Sequence, residues 1–261
     1  MEPRRTDSVP REATELGVSN AGPAWALIRL CRAPFVHSDP PHRPGPWEAA
    51  REELHQISMW AKWWVAGMLA PPVPLYRDRI ELLRGAARAA PREGLWLEFG
   101  VYRGESVRAL APIAPGTVYG FDSFQGLPDA WTPGYPGGTF DLRGGLPPVD
   151  QNVTLVKGWF AETIPPFLGA HPNEAVSLLH VDCDLYESAR TVLSEVAPRW
   201  RDGTVVVFDE FEGLLPDTEG RAFREALRGT DWEFRFLGAS LSGSVSVQLR
   251  RPPARMASRS R

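Results

Sequence analysis

The sequence predicts an α/β protein: a doubly wound, mostly parallel sheet of seven strands that ends in an antiparallel hairpin, preceded by an N-terminal helical extension. Three observations carry this. From residue 95 onward, short β-rich runs alternate with helical stretches, the pattern of a sheet joined by crossover helices. The runs are continuously apolar, as strands are when both faces of a parallel sheet are covered. The last two runs are separated only by ASLSG, a loop too short for a parallel crossover.

Taken in order, residues 1–46 are rich in Pro, Arg and small polar residues and read as a flexible segment. From Trp47 the pattern changes to apolar residues at helical spacing (Leu54, Ile57, Trp60, Trp63, Trp64, Met68), predicting a helix that stops before Pro71 and Pro72. A second helix, LYRDRIELLRGAARAA (75–90), ends before Pro91. Residues 47–90 thus form a helical extension or lid, whose Trp-rich part reads as core or as a homo-oligomer interface. The main domain occupies 91–250. Its candidate strands are LWLEFG (95–100), TVYGFD (117–122), VTLVKG (153–158), AVSLLHVD (175–182), TVVVFDE (204–210), WEFRFLG (232–238) and SVSVQLR (244–250). Helices are expected at 104–111, 161–168, 187–198 and 217–228, and an Arg-rich tail at 251–261. Five parallel strands and a hairpin favour the methyltransferase version of the Rossmann-like fold over a dinucleotide dehydrogenase, which continues with a further helix.

Composition narrows the class. The chain has 261 residues, 43% hydrophobic and 23% charged, enough to bury a core without disulfides or a structural metal. Its two cysteines, Cys31 and Cys183, form no CxxC, which argues against a disulfide framework and a thiolate zinc site. No apolar run reaches the ~18 residues of a membrane span, and the N-terminus lacks a secretory apolar stretch. A cytoplasmic protein without a membrane partner is expected. The net charge of −3 includes five arginines after residue 249, so the body is acidic, which speaks against a nucleic-acid partner.

The chemistry-bearing residues lie at strand ends. Glu98-Phe99-Gly100-Val101-Tyr102-Arg103-Gly104-Glu105-Ser106 puts glycines at a strand-to-helix turn, where backbone can approach a ligand and helix N–H groups are free. It is not G-x-G-x-x-G, and Glu98 would repel a dinucleotide phosphate, which points to a sulfonium cofactor. Asp122, about twenty residues on and followed by Ser123, suits ribose hydroxyls. Gly158, Trp159 and Phe160 stand where an adenine would lie, or are core. His180-Val181-Asp182-Cys183-Asp184 places Asp182 and Asp184 on one side of a strand. Asp209 and Glu210 end the neighbouring strand. Carboxylates converging there repel unless a cation or proton intervenes, and oxygen ligands suit Mg²⁺ or Ca²⁺; solvated loop acids are the alternative. His180 reads as a satisfied core histidine pointing away from the Asp182 face. Tyr186 and Arg190 either line the pocket or pack.

EFGVYRGES, YGFDSFQGLP, LVKGWFAETIP, HVDCDLYESARTVL and VVVFDE, in this order, resemble the macrocin O-methyltransferase family over residues 75–250. The resemblance implies an S-adenosylmethionine-dependent enzyme that methylates a hydroxyl of a small molecule, a sugar of a natural product. The cofactor set would be Glu98, Gly100, Tyr102, Gly104, Ser106, Asp122, Ser123, Gly158, Trp159 and Phe160. It also implies Mg²⁺ held by Asp182, Asp209 and Glu210, with Asp184 as general base. Here Glu210 replaces the family's second Asp, so it ligates through a longer arm, turns outward, or marks a branch without the metal. The other readings are a metal-independent methyltransferase on the same fold, a nucleotide-sugar or NAD enzyme, and a non-catalytic cofactor-binding or interaction subunit.

Overall fold

The computed structural model describes residues 73–131, 134–211 and 219–252. The expected N-terminal segment, the Trp-rich helix and most of the Arg-rich tail lie outside the described residues. Within them, β1 (Leu75–Tyr76) leads into α1 (Arg79–Ala89), β2 (Leu95–Phe99), α2 (Glu105–Leu110), β3 (Val118–Asp122) and β4 (Val153–Lys157). Then come α3 (Phe160–Ala170), β5 (Val176–Val181), α4 (Tyr186–Val196), β6 (Val205–Phe208), α5 (Glu219–Leu227), β7 (Glu233–Ser240) and β8 (Val245–Arg250). The sheet order is β1-β7-β8-β6-β5-β2-β3-β4. Strands β6, β5, β2, β3 and β4 run parallel, and β8 is antiparallel to both β6 and β7. The predicted hairpin end is present.

One boundary differs from the sequence reading, and with it the strand count becomes eight. The helix expected from residue 75 starts at Arg79, because the Asp78 side chain caps it by accepting from the Glu81 amide at 2.8 Å. Leu75 and Tyr76 instead pair in parallel with Ala239 and Ser240 of β7. Leu75 follows Pro74, whose carbonyl accepts from the Ala239 amide at 3.0 Å. The pairing ties the start of α1 to the far edge of the sheet.

Each face of the sheet has its own core. Leu95, Leu97, Phe99, Leu179, Val181, Val206 and Phe208 pack with Ile164, Val192 and Phe223 of α3, α4 and α5. Alternate positions (Trp96, Leu178, Val205, Val207) pack with Leu82, Leu83, Val107 and Leu110 of α1 and α2. Period-two alternation carries past the strand ends, and it decides which polar side chains meet above the sheet.

Candidate active site

A cavity of about 550 Å³ opens at the carboxyl edge of the parallel strands, a size suited to a nucleoside-sized ligand. Of the residues singled out in the sequence, Gly100, Tyr102, Ser106, Asp122, Ser123, Gly158, Trp159, Phe160, Asp182, Asp184, Asp209 and Glu210 line it. Glu98 and Gly104 do not. Gly104 caps α2 at φ 76°, and Glu98 is fully buried beneath the turn. One Glu98 carboxylate oxygen accepts from Ser106 Oγ at 2.7 Å, and the other lies 3.0 Å from His180 Nδ1.

The turn after β2 is set by two contacts. Gly100 sits at φ 96° against the Asp182 backbone, where an added Cβ would come within 1.6 Å of the carbonyl oxygen. Asp122 then fastens the turn from the side. Its Oδ2 accepts from the Val101 and Tyr102 amides, both at 2.8 Å, and its Oδ1 from the Phe124 amide at 2.7 Å. Oδ2 thus has both of its acceptor sites taken, and Oδ1 keeps one for a hydroxyl donor.

On the opposite side, the acids converge around a cation that sequence reasoning missed. Arg79, in the first turn of α1, donates from Nη1 to Asp182 Oδ2 at 2.8 Å and from Nη2 to Glu105 Oε2 at 2.9 Å. The same Nη1 is 3.8 Å from Asp209 Oδ2, and Ser244 Oγ donates to Asp209 Oδ1 at 3.0 Å. Burial opposes charge on Arg79, but the Asp182 and Asp209 carboxylates outweigh it and hold the guanidinium more strongly protonated than usual. Burial and then the Asp209 charge push Asp182 up to about 7, with Arg79 opposing. Burial, Asp182 and Asp209 push Asp184 well above the ordinary carboxylate range. Asp184 holds a left-handed backbone at φ 60°.

His180 corrects the sequence reading. It is a buried histidine with a partner, as expected, but it does not point away from Asp182. Residues two apart share a strand face, and His180, Asp182 and Asp209 each present a possible ligand atom within 4.8 Å of one another. Glu210 lines the cavity without joining that group. As arranged, the set does not fit a divalent ion. Asp182 Oδ2 is already bonded to the Arg79 guanidinium, whose positive charge lies against both aspartates and would repel a divalent ion beside it.

Behind the acids, Glu219 of α5 is fully buried and joins both loops. Its Oε1 accepts from the Cys183 amide at 3.2 Å and its Oε2 from the Glu210 amide at 3.1 Å. Neither Tyr186 nor Arg190 lines the cavity: Tyr186 is half-buried and packs, and Arg190 is exposed. The Tyr186 hydroxyl donates to Glu225 at 2.6 Å, and Arg190 pairs with Glu187. The sequence reading also missed Trp131, Tyr135 and Phe140, an aromatic wall from the β3–β4 connection. Their signal was an aromatic residue every four to five positions in a Gly/Pro-rich stretch.

The fold and site define a class: a Rossmann-like α/β domain with its ligand crevice at the carboxyl edge, a glycine turn, a ribose-suited acid and an acidic cluster beyond. Residues 97–211 match the family model described as a methyltransferase domain. The chain is 28% identical over 145 residues to the demethyldecarbamoylnovobiocin O-methyltransferase of Streptomyces niveus, covering 44% of this chain and 52% of that protein. It is 26% identical over 162 residues to the mycinamicin III 3''-O-methyltransferase of Micromonospora griseorubida, covering 51% of this chain and 62% of that one. The chain thus spans little more than half the length of these curated relatives. In fold it is similar to a calicheamicin methyltransferase, with a TM-score of 0.50 and 22% identity over 88% of this chain and 99% of that one. Residues 97–211 are thus similar to a methyltransferase domain, and the curated relatives that resemble the chain are O-methyltransferases.

Proposed function

We propose that this protein transfers a methyl group from S-adenosylmethionine to a hydroxyl of a small molecule, the acceptor being a sugar of a natural product as in the macrocin-like branch. The observation that carries the reading is a single cavity joining the glycine turn and Asp122 to Asp184. The cofactor supplies the electrophilic methyl. The chain's own residues orient the reactants and remove the acceptor proton. Gly100 lets the backbone approach the cofactor, Asp122 offers acceptor capacity to ribose hydroxyls, and Trp159 and Phe160 flank the base. Asp184, partly exposed in the same cavity and raised in basicity by its neighbours, takes the hydroxyl proton as the new bond forms. Mg²⁺-assisted deprotonation, which the family resemblance implies, is not used here because the donor set does not fit the ion. Support for a sugar acceptor comes from a further relative, the 8-demethyl-8-(2,3-dimethoxy-alpha-L-rhamnosyl)-tetracenomycin-C 4'-O-methyltransferase of Streptomyces olivaceus, 29% identical over 141 residues that cover 44% of this chain and 52% of that one. Calorimetric titration with S-adenosylhomocysteine tests the cofactor, with micromolar binding expected. Asp184→Asn should retain that binding and lose at least ~100-fold in turnover, the usual contribution of a general base. Full activity in this variant would remove Asp184 from the mechanism.

A further inference from the structure

We infer that Arg79 is the resident cation of the acidic cluster: it stands where a divalent metal ion would otherwise bind, and the site works without metal. The geometry is specific. One guanidinium donates to Asp182 at 2.8 Å, approaches Asp209 to 3.8 Å and donates to Glu105 at 2.9 Å, so two carboxylates that follow strand ends and one that opens α2 share it. The guanidinium is fixed rather than a passing surface charge. Its backbone opens α1, which is capped by Asp78 and buried through Leu82 and Leu83, and β1 moors the preceding residues to β7. Ser244 and the Glu98–His180 pair hold the surrounding acids and imidazole from behind.

A cation is needed because the carboxylates of Asp182 and Asp209 crowd one half-buried spot, and separated from any positive charge they would repel. Two cations cannot share that spot. A divalent ion coordinated by the same oxygens would sit within a few ångströms of a guanidinium that never deprotonates. Arg79 also lines the cavity, and its guanidinium has more N–H groups than the two bonds to Asp182 and Glu105 use. A planar fork donates to paired oxygens, such as vicinal hydroxyls or a carboxylate, where a metal would chelate them. Replacing the ion by arginine keeps acceptor orientation and removes dependence on metal supply. Only this acceptor-facing part rests on the methyl-transfer reading.

The test is direct metal binding by the full chain, followed through the loss of the free Mn²⁺ signal in electron paramagnetic resonance. The wild-type protein should show no saturable Mn²⁺ binding up to millimolar concentration, with or without S-adenosylhomocysteine. Arg79→Ala, which leaves the acids uncompensated, should bind one Mn²⁺ at least tenfold more tightly than wild type, and Asp182→Asn in that background should abolish the gain. Stoichiometric binding by wild type that is lost in Asp182→Asn overturns the inference, since Arg79 must then move aside. A folded Arg79→Ala without any gain overturns it too. Should that variant not fold, the wild-type titration alone decides. Failure of S-adenosylhomocysteine to bind would sink the proposed function and leave the Mn²⁺ result standing.

Discussion

Asp184 shows how a residue's chemistry is set by its neighbours. Burial and the charges of Asp182 and Asp209 all favour its protonated form, so its carboxyl titrates well above the usual range. A general base works only when ionised. The acid limb of the kcat/KM profile should therefore lie clearly above the ~4 of an ordinary aspartate, with activity rising as pH rises. A limb at the ordinary value would remove Asp184 as the base. Cys183 stands between the two aspartates with its thiol pushed up by burial and by Glu219. Thiolate being the reactive form, alkylation by iodoacetamide at pH 8 should be slow in folded protein and fast in urea. Gly100 is a third case, since its left-handed φ and the Asp182 carbonyl leave no room for a side chain. Gly100→Ala should cost on the order of 4 kcal/mol in urea unfolding, and S-adenosylhomocysteine binding should weaken with it.

At the scale of elements, the site depends on α1 and α5 as much as on the strands. Helix α1 delivers Arg79 because Asp78 starts it two residues after β1 ends. Helix α5 begins with Glu219, whose two oxygens hold the loops after β5 and β6 at a fixed separation. Glu219→Ala strands the buried Cys183 amide, at about 1–3 kcal/mol, and the half-buried Glu210 amide at less. It should also lower kcat more than S-adenosylhomocysteine affinity, because the loops it holds carry Asp184 and Asp209 rather than the glycine turn. Equal losses in both would show a general folding defect instead. None of this could be read from the sequence around Glu219. There it is one acid in a polar helix start, and its burial depends on where α5 packs. The strand ends were legible, since a glycine after LWLEF and acids after apolar runs mark the carboxyl edge without knowledge of packing.

For the whole molecule, the titrating groups in and behind the acidic cluster act in one direction. Burial lowers His180, but the hydrogen bond and charge of Glu98, with Asp182 and Asp209, outweigh it and leave its value raised. The carboxyls of Asp182, Asp184 and Glu219 are raised as well, chiefly by burial. A raised folded value means that the native state binds the proton more tightly than the unfolded chain does. Stability from the carboxyls is complete below about pH 4 and declines towards their raised values, near 7 for Asp182. The His180 part is present below about 6.5 and is lost as pH rises through its raised value. The thermal midpoint of the ligand-free protein should therefore fall between pH 5 and pH 9. A flat or rising midpoint by circular dichroism would contradict this.

What the sequence determined by itself was the architecture and the inventory of the site. Alternating apolar runs and helices pointed to the parallel sheet and its hairpin end, and strand-end glycines and acids located all but two of the expected cofactor, metal and base residues on one cavity. Those signals are local: they need only a strand, its end and the turn that follows. Only tertiary structure decided what the acids face. Arg79 lies 103 residues before Asp182, in a stretch that reads as ordinary amphipathic helix. His180 was assigned to the wrong face, and Glu98 proved to support the turn from below. Each of these depends on which side chain meets which across separate elements. That is fixed by packing geometry and by the need to compensate buried charge, not by sequence spacing.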